Sequence, residues 1–230
     1  MNARLSGTDA RADFRHVESW LFDLDNTLYR ADNGIFAQIE GRMTEYVMAA
    51  LGLPREEALK RQKALYRAHG TTLNGMMALY GTDPEDYLRF VHDIDLSSLA
   101  PEAELEAALA RLPGRRFVFT NGCRRHAERI LTRLGLAHLF EAIWDIRTIG
   151  YTPKPAPGAY ERVVAAGAIA AHNAAMFDDI SRNLVPARAM GMTTVWLDCG
   201  WGQPDTADDP HHVTTNLTQF LHSIRTSHDA

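Results

Sequence analysis

The sequence predicts an α/β protein built on a doubly wound parallel sheet, with a helical module inserted into it. Five short apolar segments alternate with segments of helical periodicity, which is typical of a parallel sheet covered by helices on both faces. Residues 23–115 separate the first two apolar segments, a connection far longer than is usual in such folds. The five candidate strands are 19–22, 116–120, 142–146, 174–177 and 193–197.

The chain has the composition of an ordinary globular protein. Its 230 residues are 46% hydrophobic and 23% charged, with a net charge of −5 at pH 7, so we expect one core domain with an insertion. The negative charge and the scattered Lys and Arg residues argue against binding to a nucleic-acid polymer. Residues 1–15 lack the apolar stretch of a signal peptide, and no later segment resembles a membrane span. We expect a cytoplasmic protein that binds no membrane.

Helical segments follow the second, third and fourth candidate strands, and each is followed by a glycine. Glycine is favoured at the left-handed position just past a helix end, so these residues predict where the helices stop. The three pairs are 124–134 with Gly135, 159–166 with Gly167, and 181–190 with Gly191. A further helix, with Leu105 and Leu109 on its apolar stripe, is predicted before the second strand.

The long connection between the first two strands predicts an all-helical module. Residues 35–47 carry apolar side chains at helical spacing, Pro54 begins a second helix, and Asp83 is placed to cap a third. We expect this module to close over the carboxyl edge of the sheet, where it would exclude water and select the substrate. The predicted division is a core of residues 1–33 and 100–230 and a cap of residues 34–99.

Two acidic pairs come directly after candidate strands. Asp23 and Asp25 follow the first strand, and Asp178 and Asp179 follow the fourth. In a parallel sheet both pairs would emerge at the same edge, where their repulsion would raise a pKa unless a cation lay between them, and oxygen ligands favour Mg²⁺. Either pair alone could be solvated loop acids. The prediction of a metal site therefore depends on both pairs together.

The ends of the second and third strands add groups that suit phosphate binding. Thr120, Asn121 and Gly122 offer a hydroxyl and backbone amides near a helix start. Lys154 lies between two prolines after the third strand, which fixes where its ammonium points. Taken singly, such a turn is usually only a turn and a loop lysine is usually solvated. Together, four strand ends carry complementary groups at the edge where such sheets bind ligands.

Four sequence motifs, in this order, resemble those of the haloacid dehalogenase superfamily, whose core is a Rossmann-like sheet. They are DLDNTL at 23–28, FTNG at 119–122, KP at 154–155 and FDDISRNL at 177–184. The chain further resembles the bacterial and fungal pyrimidine 5′-nucleotidases. That narrower resemblance rests on DLDNTLY, HGTTLNGMM at 69–77, YLRFVHDID at 87–95 and KPAPGAYE.

The resemblance implies a phosphatase mechanism with a covalent intermediate. Asp23 would be the nucleophile that attacks phosphorus, and Asp25 would protonate the leaving oxygen and later activate water. Thr120, with the amides of the turn that follows it, would bind phosphoryl oxygens. Lys154 would neutralise the nucleophile and the transferring group.

The resemblance also implies a Mg²⁺ cofactor. Its ligands would be the carboxylates of Asp23 and Asp179 and the main-chain carbonyl of Asp25. Asp178 would be either a further ligand or a hydrogen-bond acceptor outside the set of ligands. Asn183 would orient this loop or Lys154. Many relatives have Asp at position 183, so a direct metal contact is not expected of Asn183.

Polar residues in the predicted cap are candidates for recognising the rest of the substrate. They stand in otherwise apolar helical segments, where they could bind a base or could be buried caps and hydrogen-bonding groups. The five are Thr71, Thr72, Asn74, His92 and Asp93. In the core, Arg124 and His126 follow the turn at residues 120–122 and could face the substrate, although residues on a helix surface are more often solvated.

The function implied by the resemblance is hydrolysis of pyrimidine nucleoside 5′-monophosphates, so the expected partner is a small phosphorylated substrate. One alternative is a phosphatase for phosphoglycolate or a sugar phosphate, or a phosphomutase, on the same core. A second is a catalytically silent binding protein that keeps the fold. Dehalogenation is disfavoured because Asp25 and the Asp178–Asp179 pair supply an acid and a metal site which that reaction does not need.

Overall fold

A computed structural model of the protein describes residues 11–200 and 209–229. Its six strands form one all-parallel sheet in the order β3-β2-β1-β4-β5-β6. The strands are β1 (Ser19–Phe22), β2 (Arg115–Phe119), β3 (Ala142–Trp144), β4 (Ala174–Asp178), β5 (Thr193–Leu197) and β6 (His212–Thr214). The predicted α/β class with a parallel sheet is confirmed.

Helices cover both faces of this sheet. Those of the sheet region are α5 (Ala103–Ala110), α6 (Arg124–Leu134), α7 (Pro157–Gly167), α8 (Ser181–Ala189) and α9 (Leu217–Ser223). Successive residues of β1 enter different apolar cores: Trp20 and Phe22 pack with α5, α6 and α9, whereas Leu21 packs with α7 and α8. This alternation buries β1 on both sides, as expected for the centre of a doubly wound sheet.

The insertion between β1 and β2 contains four helices, whereas the sequence predicted three. They are α1 (Ile35–Leu51), α2 (Arg55–His69), α3 (Thr72–Tyr80) and α4 (Pro84–Val91). Asp83 caps α4 as predicted, since its Oδ1 accepts a bond from the Glu85 amide at 2.9 Å. Helix α3 was missed because its nine residues are few for a periodicity argument. The division at residues 33/34 and 99/100 stays a prediction.

Two local predictions need correction. Strand β6 was not predicted, because its three residues show no apolar run; two of them are half-buried and Val213 is exposed. Gly167 lies inside α7, and the left-handed residue that follows is Ala168, with φ of 47°. A Cβ atom at Gly167 would lie 2.6 Å from the Trp144 ring, so close packing explains the glycine.

None of the helices in residues 11–200 and 209–229 combines the length and hydropathy needed to span a membrane.

Candidate active site

The carboxyl edge of the sheet gathers side chains from four strand ends. Asp23 follows β1, Thr120 follows β2, Lys154 lies in the loop after β3, and Asp178 is the last residue of β4. All four are buried. The Asp23 amide donates to the carbonyl of Phe177 at 2.9 Å, which holds Asp23 beside the end of β4. Parallel pairing thus brings together residues that are far apart in sequence.

Lys154 is the cation of this cluster. Its Nζ lies 2.8 Å from Asp23 Oδ1 and 2.6 Å from Asp178 Oδ2, and 5.1 Å from the centre of the Phe119 ring. Burial alone would lower the pKa of Lys154, but the two carboxylates outweigh it and hold that pKa above its usual value. Lys154 therefore stays charged and neutralises the site.

Two asparagines hold the cluster in place. Asn121 Oδ1 accepts the amide of Lys154 at 2.8 Å, and its Nδ2 donates to the Lys154 carbonyl at 3.2 Å. Asn183 Nδ2 donates to Asp178 Oδ1 at 3.0 Å, and the Ile180 amide donates to the same oxygen at 2.9 Å. Asn121 thus binds the loop of Lys154, and Asn183 binds one of the carboxylates that Lys154 contacts.

Three carboxylates lie close enough to share one cation. Oxygens of Asp23, Asp178 and Asp179 lie within 4.8 Å of one another, and Asn26 Nδ2 donates to Asp179 Oδ2 at 3.3 Å. Burial, with repulsion between the carboxylates, raises the pKa of both Asp23 and Asp179. A divalent cation would relieve that repulsion, and a set of hard oxygen donors fits Mg²⁺.

The turn after β2 brings its backbone close to the cluster. Thr120 Oγ1 accepts the amide of Gly122 at 2.9 Å. A Cβ atom at Gly122 would lie 3.2 Å from Thr120 Oγ1 and 3.7 Å from His92 Nε2. A side chain at position 122 would therefore crowd both the predicted phosphate ligand and the nearest residue of the helical insertion.

The carboxylate of Asp25 lies next to the group formed by Asp23, Asp178 and Asp179 and has its own hydrogen-bond partners. His126 Nε2 lies 2.8 Å from Asp25 Oδ1, and Tyr29 OH donates to the same oxygen at 2.5 Å. Burial would raise the pKa of Asp25, but His126 and Tyr29 outweigh it and lower that pKa. The carboxylate of Asp25 is not part of the three-carboxylate group, so a metal contact from Asp25 would be limited to its main-chain carbonyl.

The role of Tyr29 went unnoticed in the sequence, although it stands four residues after Asp25. The chain after β1 turns helically, with the Leu28 amide donating to the Leu24 carbonyl at 3.0 Å. One helical turn brings residues four apart onto the same face. The spacing of Asp25 and Tyr29 within DLDNTLY was therefore a usable signal.

The candidate residues of the insertion divide into two groups. Thr71 Oγ1 accepts the Asn74 amide at 3.0 Å and so caps α3, while Asn74 Nδ2 donates to the Tyr151 carbonyl at 2.9 Å. Thr72 is buried. His92 and Asp93, by contrast, line a pocket, and substrate binding by any of these residues stays a prediction.

That pocket lies between α4 of the insertion and α6 of the sheet region and has a volume of about 700 Å³. His126 lines this pocket and also contacts Asp25, and its ring stacks on that of His92 with centroids 4.4 Å apart and planes 15° apart. Burial lowers the pKa of His92 to about 3, so this ring is neutral at pH 7. The cavity is wide enough for a small organic ligand.

Comparison with known families decides the classification. The family model described as haloacid dehalogenase-like hydrolase matches residues 20–191. The chain belongs to this family. The match runs from β1 to the end of α8, and it includes every member of the buried cluster. The predicted superfamily is confirmed, whereas the narrower 5′-nucleotidase resemblance stays a prediction.

The individual proteins that this hydrolase resembles share less than a third of their aligned residues with it. The chain is 29% identical over 192 residues to "Phosphate metabolism protein 8" of Saccharomyces cerevisiae, an alignment that covers 75% of the chain and 59% of the yeast protein. The chain thus spans well under two thirds of that relative's length. Solved structures with the same fold include the HAD-hydrolase YfnB from Bacillus subtilis bound to magnesium, with TM-score 0.60, 16% identity and coverage of 90% and 97%. A HAD phosphatase from Thermococcus onnurineus gives TM-score 0.60, 17% identity and coverage of 91% and 100%.

Proposed function

We propose that this hydrolase is a magnesium-dependent phosphomonoesterase that forms an aspartyl-phosphate on Asp23, and that its substrates are pyrimidine nucleoside 5′-monophosphates. The buried cluster carries the proposal: Lys154 within 2.8 Å of Asp23 and 2.6 Å of Asp178, with oxygens of Asp23, Asp178 and Asp179 within 4.8 Å of one another. Phosphoryl transfer needs this kind of positioning and charge neutralisation more than covalent chemistry.

The chain's own residues divide the chemistry between them. Asp23 attacks phosphorus, so that an oxygen–phosphorus bond to Asp23 forms as the bond to the leaving oxygen breaks. Lys154 offsets the negative charge that collects between Asp23 and the phosphoryl group, and Thr120 with its turn binds phosphoryl oxygens. Asp25 gives a proton to the leaving oxygen and later takes one from the attacking water.

The carboxylates of Asp23, Asp178 and Asp179 are the groups that would hold Mg²⁺. When bound, Mg²⁺ would neutralise the phosphoryl oxygens and align them for in-line attack. The magnesium-bound relative YfnB supports this assignment. Asn26 and Asn183 would keep Asp179 and Asp178 turned toward the ion through the hydrogen bonds already described.

Chelation should abolish activity and also weaken the fold. We expect EDTA to stop hydrolysis and added Mg²⁺ to restore it, because three buried carboxylates and a phosphate dianion repel one another without a cation. Mg²⁺ should raise the melting temperature of the wild type, since a ligand at a hundred times its Kd stabilises by about 2.7 kcal/mol. Differential scanning fluorimetry with and without Mg²⁺ measures this.

Asp179→Asn should remove most of that thermal shift, whereas the exposed Asp95→Asn should keep it. Hydrolysis at the wild-type rate in chelated buffer, together with no melting shift, would refute the metal assignment.

The nucleoside part of the proposal is supported by the resemblance to pyrimidine 5′-nucleotidases and by the pocket beside His126. A volume of about 700 Å³ lies within the range of pockets that bind small molecules. His92 and Asp93 line its wall, and the His92 ring nitrogen Nε2 and the Asp93 carboxylate are groups that can hydrogen-bond to the edge of a base. The helical insertion supplies both residues.

UMP and CMP should be hydrolysed more efficiently than AMP, phosphoglycolate or sugar phosphates. If His92 contacts the base, His92→Phe should lower kcat/KM for UMP about five- to hundredfold, because a ring without nitrogens leaves a base group unpaired at a cost of about 1 to 3 kcal/mol. The Phe ring can still stack on the His126 ring. Asp93→Ala should also lower kcat/KM for UMP.

Phosphate release from a substrate panel measures these effects, and p-nitrophenyl phosphate, which has no base, should respond little to either change. Glu57→Ala, an exposed acidic residue of α2 away from the pocket, is the matched control. Faster hydrolysis of phosphoglycolate or a sugar phosphate would replace the nucleotide assignment. No phosphate release from any ester would favour a silent binding protein.

A further inference from the structure

Both neighbours of the Asp25 carboxyl group contact the same oxygen. Tyr29 OH lies 2.5 Å and His126 Nε2 2.8 Å from Oδ1. A carboxyl group that exchanges a proton with substrate uses one oxygen for the proton, and the other can be held by donors. Two contacts on Oδ1 leave Oδ2 for that exchange. The site therefore distinguishes the two oxygens of Asp25.

His126 is placed to donate rather than to accept. Its side chain is fully buried, and its Nδ1 has no hydrogen-bond partner within the part of the chain that the structure describes. A proton on Nδ1 would be a buried donor without an acceptor, and the lone pair of Nε2 would then face a carboxylate oxygen, which is unfavourable on both counts. With the proton on Nε2, the ring donates to Oδ1. Tyr29 is a phenol, protonated at neutral pH, and donates to the same atom.

Packing restricts the rotation of the His126 ring. Its parallel stack on His92 covers one face of the imidazole. His92 is itself held, because its Nδ1 lies 3.0 Å from the Leu88 carbonyl and 3.2 Å from Cys123 Sγ. A group from the helical insertion thus fixes the orientation of a ring in the sheet region, and that ring contacts Asp25.

We propose that His126 and Tyr29 are positioning residues that hold Oδ1 of Asp25 and make Oδ2 the oxygen that exchanges protons. The inference rests on the proposed phosphatase function. Oδ2 first takes the proton of a substrate phosphate monoanion. As the bond between phosphorus and the leaving oxygen breaks, that proton moves to the leaving oxygen, and the ionised carboxylate keeps both donors on Oδ1. In the second step water attacks the aspartyl-phosphate, its proton goes to Oδ2 and then leaves with the phosphate product, which restores the ionised carboxylate. Neither Tyr29 nor His126 changes protonation.

The alternative is that these hydrogen bonds only stabilise the fold. Leaving-group dependence separates the two explanations. p-Nitrophenolate leaves without a proton, whereas the alkoxide of an alkyl phosphate needs one, so loss of positioned acid lowers kcat/KM for the alkyl ester selectively. Because kcat/KM covers the steps up to leaving-group release, a slow second step does not mask the effect. Damage to the fold would lower both values by the same factor.

The experiment compares kcat/KM for p-nitrophenyl phosphate and for the best alkyl phosphate of the substrate panel. We expect His126→Leu and Tyr29→Phe each to lower the ratio of alkyl to aryl activity at least about tenfold, with Asp25→Asn giving the upper limit of the effect. His126→Gln should recover most of the ratio, since the Gln amide nitrogen reaches as far from Cβ as Nε2 does. His138→Leu, which removes an exposed histidine–carboxylate pair with Glu106 at 3.2 Å, should leave the ratio unchanged.

A parallel loss of both activities in the folded His126→Leu and Tyr29→Phe variants, with no recovery in His126→Gln, would overturn the proposal. A second measurement does not depend on activity. Nitrogen-15 NMR of labelled histidine should show that His126 carries a proton on Nε2 and none on Nδ1. The opposite tautomer would contradict the proposal by itself. If the wild type cleaves neither ester, the proposed function fails, while the tautomer still decides whether His126 donates to Asp25.

Discussion

Asp23→Asn is expected to abolish phosphate release, with a loss of about 10⁴-fold or more in kcat. An amide cannot form the acyl-phosphate bond, and Asp178, the other carboxylate that Lys154 contacts, is also held by Asn183. The loss should appear with p-nitrophenyl phosphate as well as with nucleotides, because both need the same nucleophile. Release of inorganic phosphate from highly purified protein is the measurement.

The same substitution should leave the fold intact. Burial and the neighbouring carboxylates raise the pKa of Asp23, which means that its charged form is disfavoured in the folded protein. A neutral amide of the same shape removes that repulsion and can still accept a bond from Lys154. The melting temperature in metal-free buffer should therefore not fall. Asp13→Asn, which changes an exposed aspartate paired with Arg15 at 2.7 Å, should keep full activity; near-normal turnover by Asp23→Asn would exclude Asp23 as nucleophile.

Lys154→Met is expected to lower both activity and stability by large amounts. Removing one partner of a buried ion pair leaves charge without compensation, at a cost of about 3 to 5 kcal/mol in the free energy of unfolding. Here two carboxylates, those of Asp23 and Asp178, would lose their cation, and the phosphoryl group would lose its neutralising charge. Urea unfolding monitored by circular dichroism, in buffer with EDTA, measures the stability change.

Lys60→Met is the matched control for this loss. Lys60 Nζ lies 2.7 Å from Glu56 Oε1, as close as the contacts of Lys154, but 73% and 81% of the two side chains are exposed. An exposed pair of this kind contributes little, so its removal should barely change the unfolding curve. Equal, small effects of Lys154→Met and Lys60→Met would show that burial of the Lys154 cluster has no energetic consequence.

The architecture was largely predictable because it depends on local periodicity. Alternating apolar strands and amphipathic helices mark the parallel sheet, and residues such as Gly135 and Asp83 mark helix ends, since each acts on its own backbone. The predictions failed where an element has few characteristic residues of its own, or where a residue has a different role from the one its position in the sequence indicates. Gly167 resembles a helix stop in the sequence but serves the packing of Trp144, and β6 gains its place by pairing with β5 rather than from its own residues.

The order of residues specifies which chemical groups follow the strands: Asp23 and Asp25, Thr120, Lys154, and the Asp178–Asp179 pair. The α/β pattern predicts a parallel sheet, which brings these groups to one edge. How the groups pair with one another depends on contacts that form only in the folded protein. Lys154 binds Asp23 and Asp178, whereas Asp25 turns to His126, which is 101 residues away in the chain. The contact between Asp25 and His126 depends on how α6 packs near the end of β1 and on the stacking of the His92 ring against the His126 ring. These contacts form between distant segments, and no pattern within either segment encodes them.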